Sequence, residues 1–311
     1  MIQVEHVTKD YGQFRAIDDI SFTVNKGDIM GFLGPNGTGK TTVMRMLTCF
    51  FPPTQGKLMV AGYNCFEESL NVRKKIGYLP ERVPLYADMT VSDYLDFVAG
   101  IKGMRSKEIK GKVGQVMDDC GLADVNRKLI SDISRGYRQR VGIAQALVND
   151  PEVLILDEPT VGLDPQQIKG IRKLIKDLAG RHTVILSTHI LPEVSILCNR
   201  VVVINKGRVA AVDSLDNLIS AGTDKMFMRI NGDQQAIMAA LEQLDCTASV
   251  QQGENDSKEE GGFIIALDDE KQSSKRMHAM IEENGWNIEE MRPMETNLED
   301  VFIQLVTKEG K

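Results

Sequence analysis

Residues Gly34-Pro35-Asn36-Gly37-Thr38-Gly39-Lys40-Thr41-Thr42 satisfy the pattern G-x-x-x-x-G-K-[ST] at every fixed position. The chemistry of that pattern is phosphate binding. Its glycines let backbone N–H groups turn inward around phosphate oxygens, and the helix that follows adds the positive end of its dipole. Lys40 is then placed to reach β- and γ-phosphates, and the Thr41 hydroxyl to ligate Mg²⁺. The alternative is a chance glycine-rich turn. The apolar run Ile29-Met30-Gly31-Phe32-Leu33 before it and a helical pattern after it disfavour that alternative.

A second constellation is the apolar run Val153-Leu154-Ile155-Leu156 ending in Asp157-Glu158. A carboxylate at the end of such a strand suits a water-mediated hold on Mg²⁺, which falls to Asp157. Glu158 can polarise a water for attack on a γ-phosphate. Taken alone, it reads equally well as a surface acid at a strand end.

Between the two lies Ser134-Arg135-Gly136-Tyr137-Arg138-Gln139-Arg140. Ser134 suits the N-cap of a helix, and a capped helix start is also an anion site. Gly136 would let a phosphate come close. Arg135, Arg138 and Arg140 are equally consistent with a solvated face. A Ser-x-Gly helix start between a phosphate loop and its acidic strand points to an ATPase that completes its site with a piece of a second copy. His189 ends the run Val184-Ile185-Leu186-Ser187-Thr188. A lone histidine is more often structural, but an edge shared with Asp157 favours a γ-phosphate contact. Tyr11, in Asp10-Tyr11-Gly12, either stacks an adenine or simply packs.

These residues need elements to hold them. Ile2–Glu5 and Ile20–Val24 alternate and read as strands, and Ile29–Leu33 reads as a buried strand feeding the loop. Thr42–Phe51 reads as the following helix, stopped by Pro52-Pro53. Ile76–Pro80 is a short strand, 91–131 is mostly helical with Gly121 ending one helix, and Val141–Val148 is helical. Strands at Val153–Leu156, Thr183–Ser187 and Arg200–Ile204, separated by helical patterns, have the rhythm of a parallel α/β sheet. Beyond Gly222 the order is strand Met226–Ile230, helix Gln234–Leu244, strands Thr247–Val250 and Phe263–Leu267, helix Glu270–Asn284 and strand Trp286–Met291. That order matches a ferredoxin-like α+β domain. The polar stretch Gly253–Gly262 joins its middle strands. A last helix, Leu298–Val306, is expected to lie on that domain's own sheet.

Length and charge support two domains. The chain has 311 residues and a net charge of −7. Residues 1–222 carry 28 basic and 25 acidic side chains; residues 223–311 carry 9 and 19. The acidic second part argues against nucleic acid as a partner. Cys49, Cys65, Cys120, Cys198 and Cys246 are scattered, with no C-x-x-C pair, which favours reduced thiols in a cytosolic protein. No signal-peptide pattern opens the chain, and no apolar run reaches the roughly 18 residues that span a bilayer. Work at a membrane would require another chain to do the spanning.

In combination the residues resemble the ATP-binding subunit of ABC transporters over 1 to about 220. Gly34–Thr42 is similar to the Walker A loop, Ser134–Arg140 to the signature, Val153–Glu158 to Walker B, Gly162-Leu163-Asp164-Pro165 to the D-loop and His189 to the switch histidine, in family order. The resemblance implies a P-loop NTPase fold: a RecA-like parallel-sheet core, an antiparallel β subdomain, and a helical subdomain over about 82–150. Domains are expected at 1–222 and 223–311. It implies that ATP and Mg²⁺ are the cofactors, that Tyr11 stacks adenine, that Glu158 is the base, and that His189 contacts the γ-phosphate. Ser134 and Gly136 would cap ATP on the P-loop of a second copy or paralogue, and Asp164 would cross that interface. An integral membrane permease would be the other partner, with the ATPase peripheral on the inner face of the cell membrane and Arg82–Tyr94 in the permease groove.

Pro84-Leu85-Tyr86-Ala87-Asp88-Met89-Thr90-Val91 and the tail Asn297-Leu298-Glu299-Asp300-Val301-Phe302 are similar to type-2 exporter ATPases. The signature looks closest to the gliding-motility type. Two positions depart from the common pattern. Arg135 and Tyr137 flank Gly136 where Leu-Ser-Gly-Gly-Gln is usual; Arg135 either adds positive charge near the opposing γ-phosphate or points to solvent, the second being favoured. Glu81 stands where most relatives carry the Q-loop glutamine; it is expected to ligate Mg²⁺ and relay closure to the permease. The competing reading is a soluble ABC ATPase acting on a non-transport partner. The lack of sustained heptads in 43–132 and the single cassette disfavour it.

Overall fold

The computed structural model describes residues 1–220, 224–244, 247–253, 262–267, 270–294 and 298–307. The expected boundary at Gly222, most of the polar joint 253–262, Cys246 and Asn297 of the tail lie outside the described residues.

Alternating apolar residues set the first hairpin. β1 (Ile2–Tyr11) and β2 (Phe14–Val24) pair antiparallel and bury Ile2, Val4, Ile20, Phe22 and Val24. Both strands outrun the short alternating stretches that announce them. β3 (Ile29–Leu33) enters the phosphate loop, and α1 (Lys40–Leu47) leaves it. α1 begins two residues earlier than expected and ends four earlier. Its stop is Cys49, at φ +59, rather than the proline pair. β4 (Gln55–Val60) and β5 (Tyr63–Asn64) complete an antiparallel sheet in the order β2-β1-β4-β5. The sequence reading missed both, along with α2 (Ser69–Lys75).

The second sheet positions the chemistry. β6 (Ile76–Leu79), β7 (Val153–Asp157), β8 (Thr183–Thr188) and β9 (Arg200–Asn205) run parallel with β3. β10 (Arg208–Ser214) adds an antiparallel edge, giving the order β10-β9-β3-β8-β7-β6. β7 and β8 are buried at every position, as expected of parallel strands covered on both faces. The register pairs Leu33 with Thr188 and Asp157 with Ser187. The phosphate loop, the two acids and His189 therefore leave the sheet at one edge, the carboxyl ends of its strands, where open α/β sheets bind ligands.

Helices α3 (Val91–Ile101), α4 (Ser106–Asp119) and α5 (Arg135–Leu147) fall in the expected helical region. α5 is one continuous helix starting at Arg135, not at Val141, because the Ser134 hydroxyl accepts the Tyr137 N–H and caps it there. α6 (Pro165–Ala179) starts the same way: Asp164 accepts from the Gln167 N–H at 2.9 Å, and Pro165 occupies the first turn. α7 (Leu191–Leu197) and α8 (Leu215–Ser220) follow β8 and β10.

Contacts divide the chain into Met1–Leu215 with Leu305–Lys311, and Asp216–Gln304. The second unit runs β11 (Asp224–Asn231), α9 (Gln234–Glu242), β12 (Thr247–Gln252), β13 (Phe263–Leu267), α10 (Glu270–Glu283), β14 (Asn287–Met294) and α11 (Leu298–Thr307). Its sheet order, β12-β13-β11-β14, is antiparallel throughout and has ferredoxin-like connectivity. Met228, Ile230, Ile237, Phe263, Ile265 and Met277 form its core. The end of α11 departs from expectation. From Leu305 it groups with the first unit, where Asn205 Nδ2 donates to the Val306 carbonyl. Among the described residues, no helix is long and apolar enough to cross a membrane.

Candidate active site

Gly39 shapes the phosphate loop. It sits at φ +103, and a Cβ there would run into the Ile17 side chain and stand 2.9 Å from the Ala16 carbonyl. Only glycine meets both demands. The Thr38 hydroxyl donates to the Pro35 carbonyl and ties the loop across itself. Lys40 is buried, with Nζ 2.7 Å from the Gly34 carbonyl and 3.1 Å from that of Pro35. Burial lowers its pKa from the ordinary lysine value, while Glu158, Asp157 and Glu81 oppose the drop. The ammonium is thus held in the loop's mouth by carbonyls that phosphate oxygens can replace.

The loop borders a cleft of about 540 Å³, within the range of small-molecule sites. Asn36, Gly37, Gly39, Lys40, Thr41 and Thr42 form one side; Glu81, Glu158 and His189 form another. Tyr11 and Phe14 stand at the hairpin end. Tyr11 is 47% exposed, its ring set perpendicular to that of Phe51 at 5.9 Å between centroids, with Lys9 Nζ 5.4 Å from the ring centre. An exposed ring on the cleft wall can take a base.

Asp157 is fully buried. Its Oδ1 accepts from the Ser187 hydroxyl and stands 3.5 Å from Thr41 Oγ1. Its Oδ2 is buried without a hydrogen-bond partner. Desolvation raises its pKa, and the Ser187 and Thr41 hydroxyls oppose that. An orphaned carboxylate oxygen is costly. Beside a threonine hydroxyl and Glu81 it makes an all-oxygen donor set, which fits a hard cation such as Mg²⁺.

Glu158 adopts φ +49, an uncommon conformation for a residue with a Cβ. Its N–H donates to the Ser187 carbonyl at 3.1 Å. The side chain is buried, and burial raises its pKa above the ordinary glutamate range. His189 Nδ1 lies 2.9 Å from one carboxylate oxygen and 3.0 Å from the other. The pair lines the cleft, where a water and a terminal phosphate can approach it.

Ser134 and Gly136 are not among the residues lining this cleft. Gly136 is buried, and a Cβ there would come within 2.7 Å of the Gln167 side chain. The start of α6 therefore packs closely on this glycine. Arg135 is exposed, as expected, but it is also anchored. Its Nη2 donates to the Val161 carbonyl, and its guanidinium lies against Gly162 of the D-loop. Arg138 donates to the Ile130 and Ser131 carbonyls, and Arg140 to that of Cys120. The three arginines fasten α5 to its surroundings, while Arg135 and Arg138 stay exposed. Tyr137 donates to Asp124 at 2.7 Å.

Sequence reasoning missed Ser187 and Glu193. Ser187, a hydroxyl that follows the apolar run Val184-Ile185-Leu186, was the readable signal. Glu193 lies buried on α7 with no local pattern to mark it.

A parallel sheet whose phosphate loop, metal-type aspartate, buried glutamate and histidine share one edge, with a capped Ser-x-Gly helix standing apart, defines a P-loop ATPase of the ATP-binding-cassette class. The chain belongs to the ATP-binding subunits of ABC transporters, which bind and hydrolyse ATP. The family model described as "ABC transporter" matches residues 17–161. The bacitracin transport ATP-binding protein BcrA of Bacillus licheniformis is 32% identical over 98% of this chain and 97% of its own. The linearmycin resistance ATP-binding protein LnrL of Bacillus subtilis is 32% identical over 98% of both. Among solved structures, an ATP-binding subunit of an ABC transporter aligns with TM-score 0.64 at 26% identity, over 71% of this chain and 92% of that one. A dimeric bacterial ABC transporter cassette aligns with TM-score 0.63 at 25% identity, over 69% and 99%.

Proposed function

We propose that this chain energises an exporter of the type-2 group, closest to the gliding-motility type. It works beneath a separate integral membrane permease on the inner face of the cell membrane. The relatives named for bacitracin transport and linearmycin resistance support an export role.

The observation that carries the reading is the split of the site. Lys40, Glu158 and His189 line one cleft, while the capped helix start at Ser134 faces elsewhere. One chain thus holds two halves of different sites, which two copies, or a copy and a paralogue, would complete head to tail. In this account the backbone from Gly34 to Thr42 and the Lys40 ammonium bind the phosphates, and Tyr11 stacks the adenine. Thr41, Asp157 and Glu81 hold Mg²⁺, which when bound neutralises charge on the β- and γ-phosphates. Glu158 takes the proton of the attacking water, and His189 fixes Glu158 and contacts the γ-phosphate. Ser134 and Gly136, with the N–H groups of the helix start, close over the partner's ATP, and the domain boundary near 222 separates this machine from an accessory unit.

Two surface features support the permease reading. Arg82, Val83, Leu85 and Ala87 line a cavity of about 460 Å³ with Arg135 and Arg138. A separate groove of about 900 Å³ lies outside the expected 82–94 segment. Exposed Phe50, Leu70 and Ile101 line it with Arg73, Lys74, Lys102 and Lys112, against two acids, Glu108 and Asp150. That chemistry suits an amphipathic permease helix carrying acidic residues. The test is purification of the full chain from detergent-solubilised native membranes. An integral membrane protein recovered in stoichiometric amount, and lost on Leu70→Asp, is expected; recovery of the chain alone would contradict the proposal.

A further inference from the structure

Glu193 is fully buried, yet it takes no part in the cleft. Its contacts explain why it is there. Oε1 accepts from the Thr160 hydroxyl, and Oε2 accepts from the Thr188 hydroxyl at 2.9 Å. Arg172 Nη2 stands at 3.5 Å from Oε1, at the edge of hydrogen-bond range, and Arg172 Nε is buried without a partner. A carboxylate kept for its arginine would be expected to form a close, two-pronged pair. This one is kept instead by two hydroxyls.

The two hydroxyls come from the two turns that carry the chemistry. Thr160 follows Glu158 by two residues, inside the turn closed by the Val161 N–H on the Glu158 carbonyl at 3.3 Å. Thr188 precedes His189 directly. Its hydroxyl also accepts the Ile190 N–H at 3.0 Å, bracketing the histidine in a side-chain turn. One buried carboxyl on α7 therefore ties the exit of β7 to the exit of β8.

We infer that Glu193 is a positioning residue for ATP hydrolysis, a clamp that joins the Glu158 turn to the His189 turn and so sets the separation of base and histidine. The inference rests on the roles proposed above for those two residues. A loosened clamp would leave ATP binding intact, because the phosphate loop, Tyr11 and Thr41 do not touch it. It would slow the chemical step, where small misplacements are costly.

The test is steady-state ATPase of the full chain for Glu193→Gln, Thr188→Val and Thr188→Ser, alone and combined with His189→Ala. Thr188→Val removes one strut without a change of charge, and so decides the matter if Glu193→Gln does not fold. The expected result is a kcat about tenfold lower or worse in Glu193→Gln and Thr188→Val, with KM for ATP within about twofold of native. Thr188→Ser should recover most of the rate. In the His189→Ala background, Thr188→Val should cost nothing more, because the distance it guards no longer matters. A native kcat in Thr188→Val, or a loss that multiplies with that of His189→Ala, would overturn the inference. A native rate in His189→Ala alone would instead sink the proposed role of the histidine, and the clamp with it.

Discussion

His189 Nδ1 stands almost equidistant from the two carboxylate oxygens of Glu158, at 2.9 and 3.0 Å. The histidine straddles the carboxylate rather than gripping one oxygen. It thereby restrains both the rotation of the group and its charge, and the pH dependence of turnover should report the second restraint.

Burial raises Glu158 above the ordinary 4.5, and the hydrogen bond from His189 opposes the rise. A base must be ionised to act, so activity is lost as pH falls through the raised value. The acid limb of kcat/KM is therefore expected above pH 4.5. In His189→Ala the opposing bond is gone, so the limb should move further up while the rate falls by about 10²-fold or more. A limb that stays fixed or moves down in a rate-against-pH series would contradict the pairing.

The orphaned Oδ2 of Asp157 leads to a prediction about cation binding. Asp157→Asn should weaken Mg²⁺ binding by about tenfold to a hundredfold, measured by calorimetry with a non-hydrolysable ATP analogue present. Glu81→Gln should shift the same titration and also weaken coupling of hydrolysis to transport. If both Mg²⁺ dependence and coupling stay native in Glu81→Gln, the role given to Glu81 fails.

Gly136 makes a stability prediction. A methyl at this position would press on the Gln167 side chain at 2.7–2.9 Å. Gly136→Ala should cost about 1–3 kcal/mol in chemical denaturation, and Gln167→Ala in the same chain should restore most of it. No change in the single variant would show that the approach of α6 does not require glycine.

Much of this site was legible because its motifs are local. The phosphate loop, Asp157-Glu158 and His189 each announce themselves as a short pattern at a strand end, and the parallel register brings them together. What escaped reading was set by contacts distant in sequence. Arg135 is exposed as its helix turn suggests, yet it also bonds the Val161 carbonyl, 26 residues on. Nothing local to Gly136 announces that Gln167 packs beside it. Cys49 ends α1 through a backbone conformation that cysteine composition does not foretell. The strands β4, β5 and β10 carry mixed burial rather than clean alternation, so periodicity alone passed over them.

The central claim is that Ser134 serves ATP held by a second copy. Glu158→Gln should accumulate an ATP-bound dimer, seen by sedimentation velocity with MgATP. Adding Ser134→Arg to that chain should leave it monomeric while nucleotide still binds its own phosphate loop. A double variant that dimerises with ATP as tightly as Glu158→Gln alone would contradict the account.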